Sequence, residues 1–393
     1  MRANSFTIIW LAILLLCACE QKQGLPPADI KPSSTVSPIS VQPSQATPTS
    51  TPSDKPLTSL PSQSSVFLTS PTPVTPTSLP SNTPTLPPSL VNGFRTNAQF
   101  SAPTQLVVDY NDILYVADSG HHAIRKILPN GQVITLSGNG FPGLKDGPVA
   151  QAQFNNPTGM IFDKNEVLYI ADTGNHAIRK ISKDGIVSTV VGKGLAGFKD
   201  GLISEALLNS PTNLAWSQDG ALLITDTQNY RIRKLIFGQG IQTFLYYQIG
   251  LLEAITTVLK DKLYAIGGER FLELFSNGEY KEIKLDLFIK LSSPRGITSD
   301  NQGNIYITNI HRYGRVLRID KNGKAEDLVD FYFGPESGYI YNPEKPTTLQ
   351  GPAGIAVNSQ GEIYVAEMFQ NRIIKLIPKP GAMIHSLEIF AGK

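Results

Sequence analysis

Cysteine is nearly absent: the chain holds two, Cys17 and Cys19, both before residue 20. Everything after them lacks a thiol, which excludes a disulfide, a thiol redox centre or a thiolate zinc site there. An excess of charge of one sign is also missing. Lys plus Arg number 34 against 32 Asp plus Glu, a formal net charge of +2, so the electrostatics give no reason to expect a nucleic-acid partner. The apolar run from Phe6 to Leu16 is too short to span a bilayer by itself. Enzyme signatures are lacking as well: there is no GxSxG elbow before a helix, no GxxxxGK[ST] loop, no dinucleotide fingerprint and no HExxH pair.

What is present divides the chain into three parts. Arg2 gives a positive start, Phe6 to Leu16 an apolar stretch, and Leu16-Cys17-Ala18-Cys19 a small-residue cleavage site ending in cysteine. This resembles a bacterial lipobox. The resemblance implies that residues 1–18 are a lipoprotein signal peptide and that Cys19 is lipidated, which would place the protein outside the cytoplasm on a bacterial membrane. Residues 19–92 follow as a linker. Between Pro26 and Pro88 lie 16 of the 29 prolines, interleaved with Ser and Thr, and few large apolar side chains are available to offset chain entropy. The expectation is a disordered spacer, and residues 93–393 are left as the globular domain.

That domain is repetitive. Phe154 to Lys193 contains four short apolar runs, MIF, VLYIA, AIRKI and VSTVV, separated by the turn-forming DKNE, DTGNH and SKDG. Four short antiparallel strands make one small sheet that cannot bury both faces alone, so it needs copies. Copies begin at Phe100 and Leu208, one 54-residue shift away on either side, and at Ser292 and Gln350. A weaker one with a shorter turn begins at Ile255, making six.

The strings LYIADTGNHAIRK and GEIYVAE with NRIIKL resemble NHL repeats. The resemblance implies an all-β, six-bladed β-propeller of NHL type with one four-stranded blade per repeat. Because NAQFSAP matches QAQFNNP and IFAGK matches TVVGK, the first and last blades should each be contiguous, with the ring closing by packing and without an exchanged strand. The connections GFPGLKDG and GLAGFKDG should join the turns after the second strands on one loop-rich face, with a helical turn at SEALL.

Candidate site residues follow from that face, because loops carry side chains freed from packing. The turn after the second strand places Asp118, Asp172, Asp226, Asn309 and Glu367 at related positions, with His122, His176, Tyr230, His311 and Asn371 close behind. Carboxylates and imidazoles around one channel could hold zinc or calcium. Equally, Asp can close a turn and His or Tyr can pack beside the next strand in every blade. His121 and His385 read as lone exposed histidines, and the arginines Arg125, Arg179 and Arg233 as blade-edge residues with their stems on apolar surface.

Departures from the repeat point elsewhere. Arg295 follows the strand-opening proline where the other units carry Thr104, Thr158, Thr212 and Ala353. It could fork onto an anion or carbonyl, or pair with a carboxylate. The segment 330–349 packs aromatics among Gly and Pro, as a binding loop or a cover between units. The expected function is an envelope-anchored, monomeric module that binds a protein, peptide or glycan on the loop-rich face. Propellers similar to this also include metal-dependent lyases and lactonases, so such an enzyme, with its metal at the channel mouth, is the alternative.

Overall fold

The computed structural model describes residues 90–247, 251–259, 262–285, 289–310, 314–329, 349–377 and 386–392. The lipobox, Cys19, nearly all of the linker, His311, His385 and residues 330–348 lie outside these.

Each repeat folds as one antiparallel sheet, and there are six. In the second, the strands are Pro157–Phe162, Leu168–Asp172, Ala177–Ile181 and Ile186–Val191, in chain order from the centre outward. They match the four apolar runs. The turns between them are built by the expected residues: Asp163 Oδ1 accepts the N–H groups of Asn165 and Val167 at 2.8 and 2.9 Å, and Gly185 takes φ +76°. The degenerate fourth repeat is a complete blade, with strands Ala254–Val258, Lys262–Gly267, Arg270–Leu274 and Tyr280–Glu282.

The innermost strands, which include Pro103–Val108, Pro211–Trp216, Pro294–Ser299 and Pro352–Val357, stand side by side around a central channel. Core residues lie between blades. Tyr115, Ala117 and Ile124 of blade one pack with Met160, Ile170 and Val187 of blade two. Leu106 and Val116 of blade one pack in the same way on Tyr364, Ala366 and Ile373 of blade six. Burying one sheet face against the next is what a lone four-stranded sheet cannot do.

The ring closes without strand exchange. Ser386–Gly392 pairs with Arg372–Ile377 of its own blade, and blade six packs against blade one. Polar clasps also cross this seam. Asn371 Oδ1 accepts the Ala102 N–H at 2.7 Å, and the Asp112 carboxylate accepts from the Ser359 N–H and hydroxyl at 2.9 and 2.6 Å.

The connections between blades one and two, and two and three, leave and return on the same face as the turns after the second strands, while their middle runs down the outer edge of the following blade. Asn175 and Asn229 Nδ2 donate to the Gly143 and Gly197 carbonyls, each at 2.8 Å. At SEALL there is a single helical turn, in which the Ala206 N–H donates to the Leu202 carbonyl at 3.0 Å. The segment before blade one copies such a connection: Gly93–Phe94 pairs with Gln132–Ser137 as Gly147–Pro148 pairs with Ile186–Val191. Leu90 is buried, so propeller contacts begin inside the stretch assigned to the linker.

Candidate binding face and channel mouth

The turn after the second strand is the same object in the first three blades. Short 3-10 turns span Ser119–His121, Thr173–Asn175 and Thr227–Asn229. The residues that follow, His122, His176 and Tyr230, take left-handed φ of 51°, 50° and 54°, and Asn371 does the same in blade six at 54°. The acid just before each turn faces inward. Asp118, Asp172 and Asp226 Oδ1 accept the N–H groups of Ser101, Asn155 and Asn209 at 2.7, 2.7 and 2.6 Å, tying each turn to the chain entering the innermost strand.

The second oxygen of each acid meets an arginine. Arg125, Arg179 and Arg233 Nη1 donate to Asp118, Asp172 and Asp226 Oδ2 at 2.8, 2.7 and 2.7 Å. All six residues are 0% exposed, which corrects the placement of these arginines on blade edges. The physical reason is a carboxylate and two carbonyls waiting inside: Arg179 Nη1 also donates to Gln153 O, and Nη2 to Lys145 O. The inter-blade connections supply a second carboxylate. Asp146 accepts from Arg179 Nε and Nη2, and Asp200 does the same for Arg233. In blade one the neutral Asn92 takes that place. Desolvation raises the Asp172, Asp226 and Glu367 carboxyls above the ordinary range, against hydrogen bonds and arginine charges that lower them.

The histidines act as acceptors between blades. His122 Nδ1 accepts the Asn156 N–H, and His176 Nδ1 the Ser210 N–H, both at 3.0 Å, as Asn371 does for Ala102. Burial lowers both imidazole pKa values, which favours the neutral acceptor. Tyr230 is 42% exposed and stands at the rim. His121 is not the lone exposed histidine expected: it is buried, with Nδ1 2.9 Å from Asp118 Oδ2. Asn309 Oδ1 accepts from the N–H groups of Ser292 and Ser293. Glu367 pairs with Arg372, at the first position of its strand, where the first three blades place their arginine at the third.

The residue after each strand-opening position forms a ring at the channel mouth: Thr104, Thr158, Thr212, Glu253, Arg295 and Ala353. In blades one to three it belongs to a hydroxyl belt. Thr104, Thr158 and Thr212 each lie 2.6 Å from the hydroxyl of Ser119, Thr173 or Thr227. Those hydroxyls donate onward to the carbonyls of Pro157, Pro211 and Leu252 in the next blade. In blades four to six the belt positions carry Glu253 with Gly268, Arg295 with Ile310, and Ala353 with Met368, so no such hydroxyl pairs form. There Arg295 Nη1 meets Glu253 Oε2 at 3.4 Å. Glu253 escaped notice in the sequence because Leu252 replaces the proline that marks the register. Asp146, Asp200 and Asn92 escaped too, although the repeated KDG was a signal.

A channel cavity of about 490 Å³ opens at the opposite end, among the turns after the innermost strands, lined by Tyr110, Phe162, Thr298, Ser299 and Ser359. None of the residues singled out from the sequence lines it.

The proposed metal ligands are not brought together. Asp118, Asp172, Asp226 and Glu367 are each held by an arginine within their own blade. Among the described residues, no three His, Cys, Asp or Glu side chains form a group that could hold a metal ion.

Six blades, each with four strands from its own repeat, stand around a channel and close without an exchanged strand, which defines a β-propeller. Comparison with known proteins gives its repeat type. No family model matches the chain. It is 38% identical over 356 residues to NHL repeat-containing protein 2 of Bos taurus, covering 74% of this chain and 48% of the relative. The same-named protein of Gallus gallus is 45% identical over 295 residues, covering 70% and 38%. The chain thus spans about half or less of the length of these relatives. Among solved structures, a Bacteroides thetaiotaomicron protein of unknown function superposes with a TM-score of 0.55 at 15% identity, covering 76% of this chain and 72% of that one, and shows the fold alone. The chain is an NHL-repeat β-propeller.

Proposed function

We propose that the propeller is an interaction module that recognises a protein or peptide partner on its loop-rich face. Large apolar side chains stand in solvent on two homologous connections of that face: Phe141 and Leu144 on one, Leu195 and Phe198 on the next, at 41% to 66% exposure. That cluster is the observation that carries the reading, since contiguous exposed apolar surface on a folded domain marks an interaction site. The two connections touch, because Leu144 lies against Gly194. Beyond them the Arg231 guanidinium stacks on Phe198 and Tyr246, 4.0 and 4.5 Å from the ring centroids, a combination favoured at protein interfaces. The lipobox-like start and the Pro/Ser/Thr-rich segment support a lipid anchor at Cys19 and a spacer that presents this face in the cell envelope.

The test is capture of envelope partners by the full chain and by a Phe141→Ser/Leu195→Ser variant. These side chains are solvated, so the melting temperature should not change while capture falls at least tenfold. Undiminished capture by the variant would sink the reading. Membrane fractionation of Cys19→Ala checks the anchor separately: the variant should leave the membrane fraction.

A further inference from the structure

A second, independent feature of the same face is the break in the hydroxyl belt. Three blades close the channel mouth with paired hydroxyls that hand a hydrogen bond to the next blade. The other three lack these pairs, although the Thr308 hydroxyl of blade five still donates to the Ala353 carbonyl of blade six, and the charged members of the ring, Glu253 and Arg295, stand where the paired hydroxyls are missing.

Their geometry is poor as a structural bond. The single approach of 3.4 Å is well short of a forked, short-bonded arginine–carboxylate pair, and both side chains keep about a quarter of their surface, 24% and 26%. Arg295 Nε is buried and has no partner among the described residues. By contrast, Arg179 in the same protein uses every nitrogen on a carboxylate or carbonyl. A largely desolvated pair with long geometry and unused donors contributes little to stability. It does offer a donor fork and an acceptor side by side at the mouth of a channel.

We propose that Glu253 and Arg295 form a binding site for a small zwitterion, an α-amino carboxylate. Arg295 takes the carboxylate through its guanidinium, and Glu253 takes the ammonium group. An isolated anion would sit beside the Glu253 charge and an isolated cation beside that of Arg295, so each is repelled by one half of the pair. A ligand with both charges two bonds apart satisfies both halves and leaves the site neutral. A sugar diol makes neutral-to-charged hydrogen bonds only, which are weaker than those between two charges. Ala353 and Gly268, the small residues on either side, leave room: a Cβ added at Gly268 would meet no atom within 4 Å.

The experiment is calorimetric titration of the full chain with glycine and L-alanine, alongside acetate, methylammonium and methyl glucoside. The expected result is saturable binding of the amino acids, with the three controls at least tenfold weaker. Glu253→Gln and Arg295→Gln should each weaken glycine binding at least tenfold, and Arg295→Lys, which keeps the charge and loses the fork, should fall between. Melting curves identify a misfolded variant; Arg295→Lys, the mildest change, then carries the comparison. Acetate or methyl glucoside binding as tightly as glycine, no saturable glycine binding, or binding unchanged in the variants would each overturn the assignment. The Phe141→Ser/Leu195→Ser variant should bind glycine as the unmodified chain does, so failure here leaves the partner-docking reading untouched, and the reverse.

Discussion

Arg179 Nη1 lies 2.7 Å from Asp172 Oδ2, and neither side chain touches solvent. The pair joins the second and third strands of blade two, and through Asp146, on the incoming connection, also fixes the loop that arrives from blade one. Removing one partner of a buried ion pair leaves an uncompensated charge, at a cost of about 3–5 kcal/mol. Arg179→Leu should therefore destabilise the domain by about that amount, read as a shift of the urea midpoint.

The second carboxylate makes the blades unequal. Asp172→Asn leaves Arg179 with Asp146, whereas Asp118→Asn leaves Arg125 with only the neutral Asn92 and carbonyls. Asp118→Asn should be the more destabilising, by on the order of 1 kcal/mol or more, the scale of one charge-assisted hydrogen bond. Equal losses in chemical denaturation would show that Asp146 contributes nothing to the pair.

His122 and His176 bridge blades only while neutral, since each Nδ1 accepts a backbone N–H. Their pKa values are lowered in the folded protein, mainly by burial. The unfolded chain therefore binds more protons once the pH drops below about 6.5, and stability falls from there as the pH falls toward the folded values. A His122→Asn/His176→Asn variant places at both sites the residue blade six already uses, and Asn tolerates the left-handed backbone. Its melting temperature should vary less between pH 7 and pH 5 than that of the unmodified chain.

The closure seam depends on a glycine. A Cβ at Gly354 would collide with the Thr104 carbonyl oxygen of blade one, as one at Gly159 would with Thr212 and one at Gly296 with Ala353. Gly354→Val should force blades six and one apart and cost about 1–3 kcal/mol, the range for overpacking. Amide hydrogen exchange should then speed up first in Pro352–Val357 and Pro103–Val108. Uniform exchange across the six blades would contradict a local seam.

The repeat made the architecture legible before any coordinates. LYIAD and AIRKI are strands because Ile, Tyr and Val fit a pleated surface, and DTGNH is a turn because Asp, Gly and Asn accept its backbone angles. Strand order, blade number and the absence of strand exchange follow from six such units in one register. The direction of individual side chains did not follow. AIRKI shows an arginine beside a lysine, and only the fold reveals that Arg179 points between strands while Lys180 remains partly exposed. Asp172 and Asp146 are 26 residues apart in sequence and meet on one guanidinium because the connection folds back over its own blade.

The same division holds at the channel mouth. From the sequence alone, Arg295 stood out against threonines and alanine, because a charged residue replacing small ones in a repeat is visible in an internal alignment. Its partner was not visible: Glu253 lies 42 residues away in the least regular repeat, where no proline marks the register. Local pattern determined the blades, since each strand and turn depends on residues near in sequence. Which charges meet was decided by tertiary structure, because pairing the strands of a blade, folding the connection back over it and setting blades side by side bring together side chains distant in sequence.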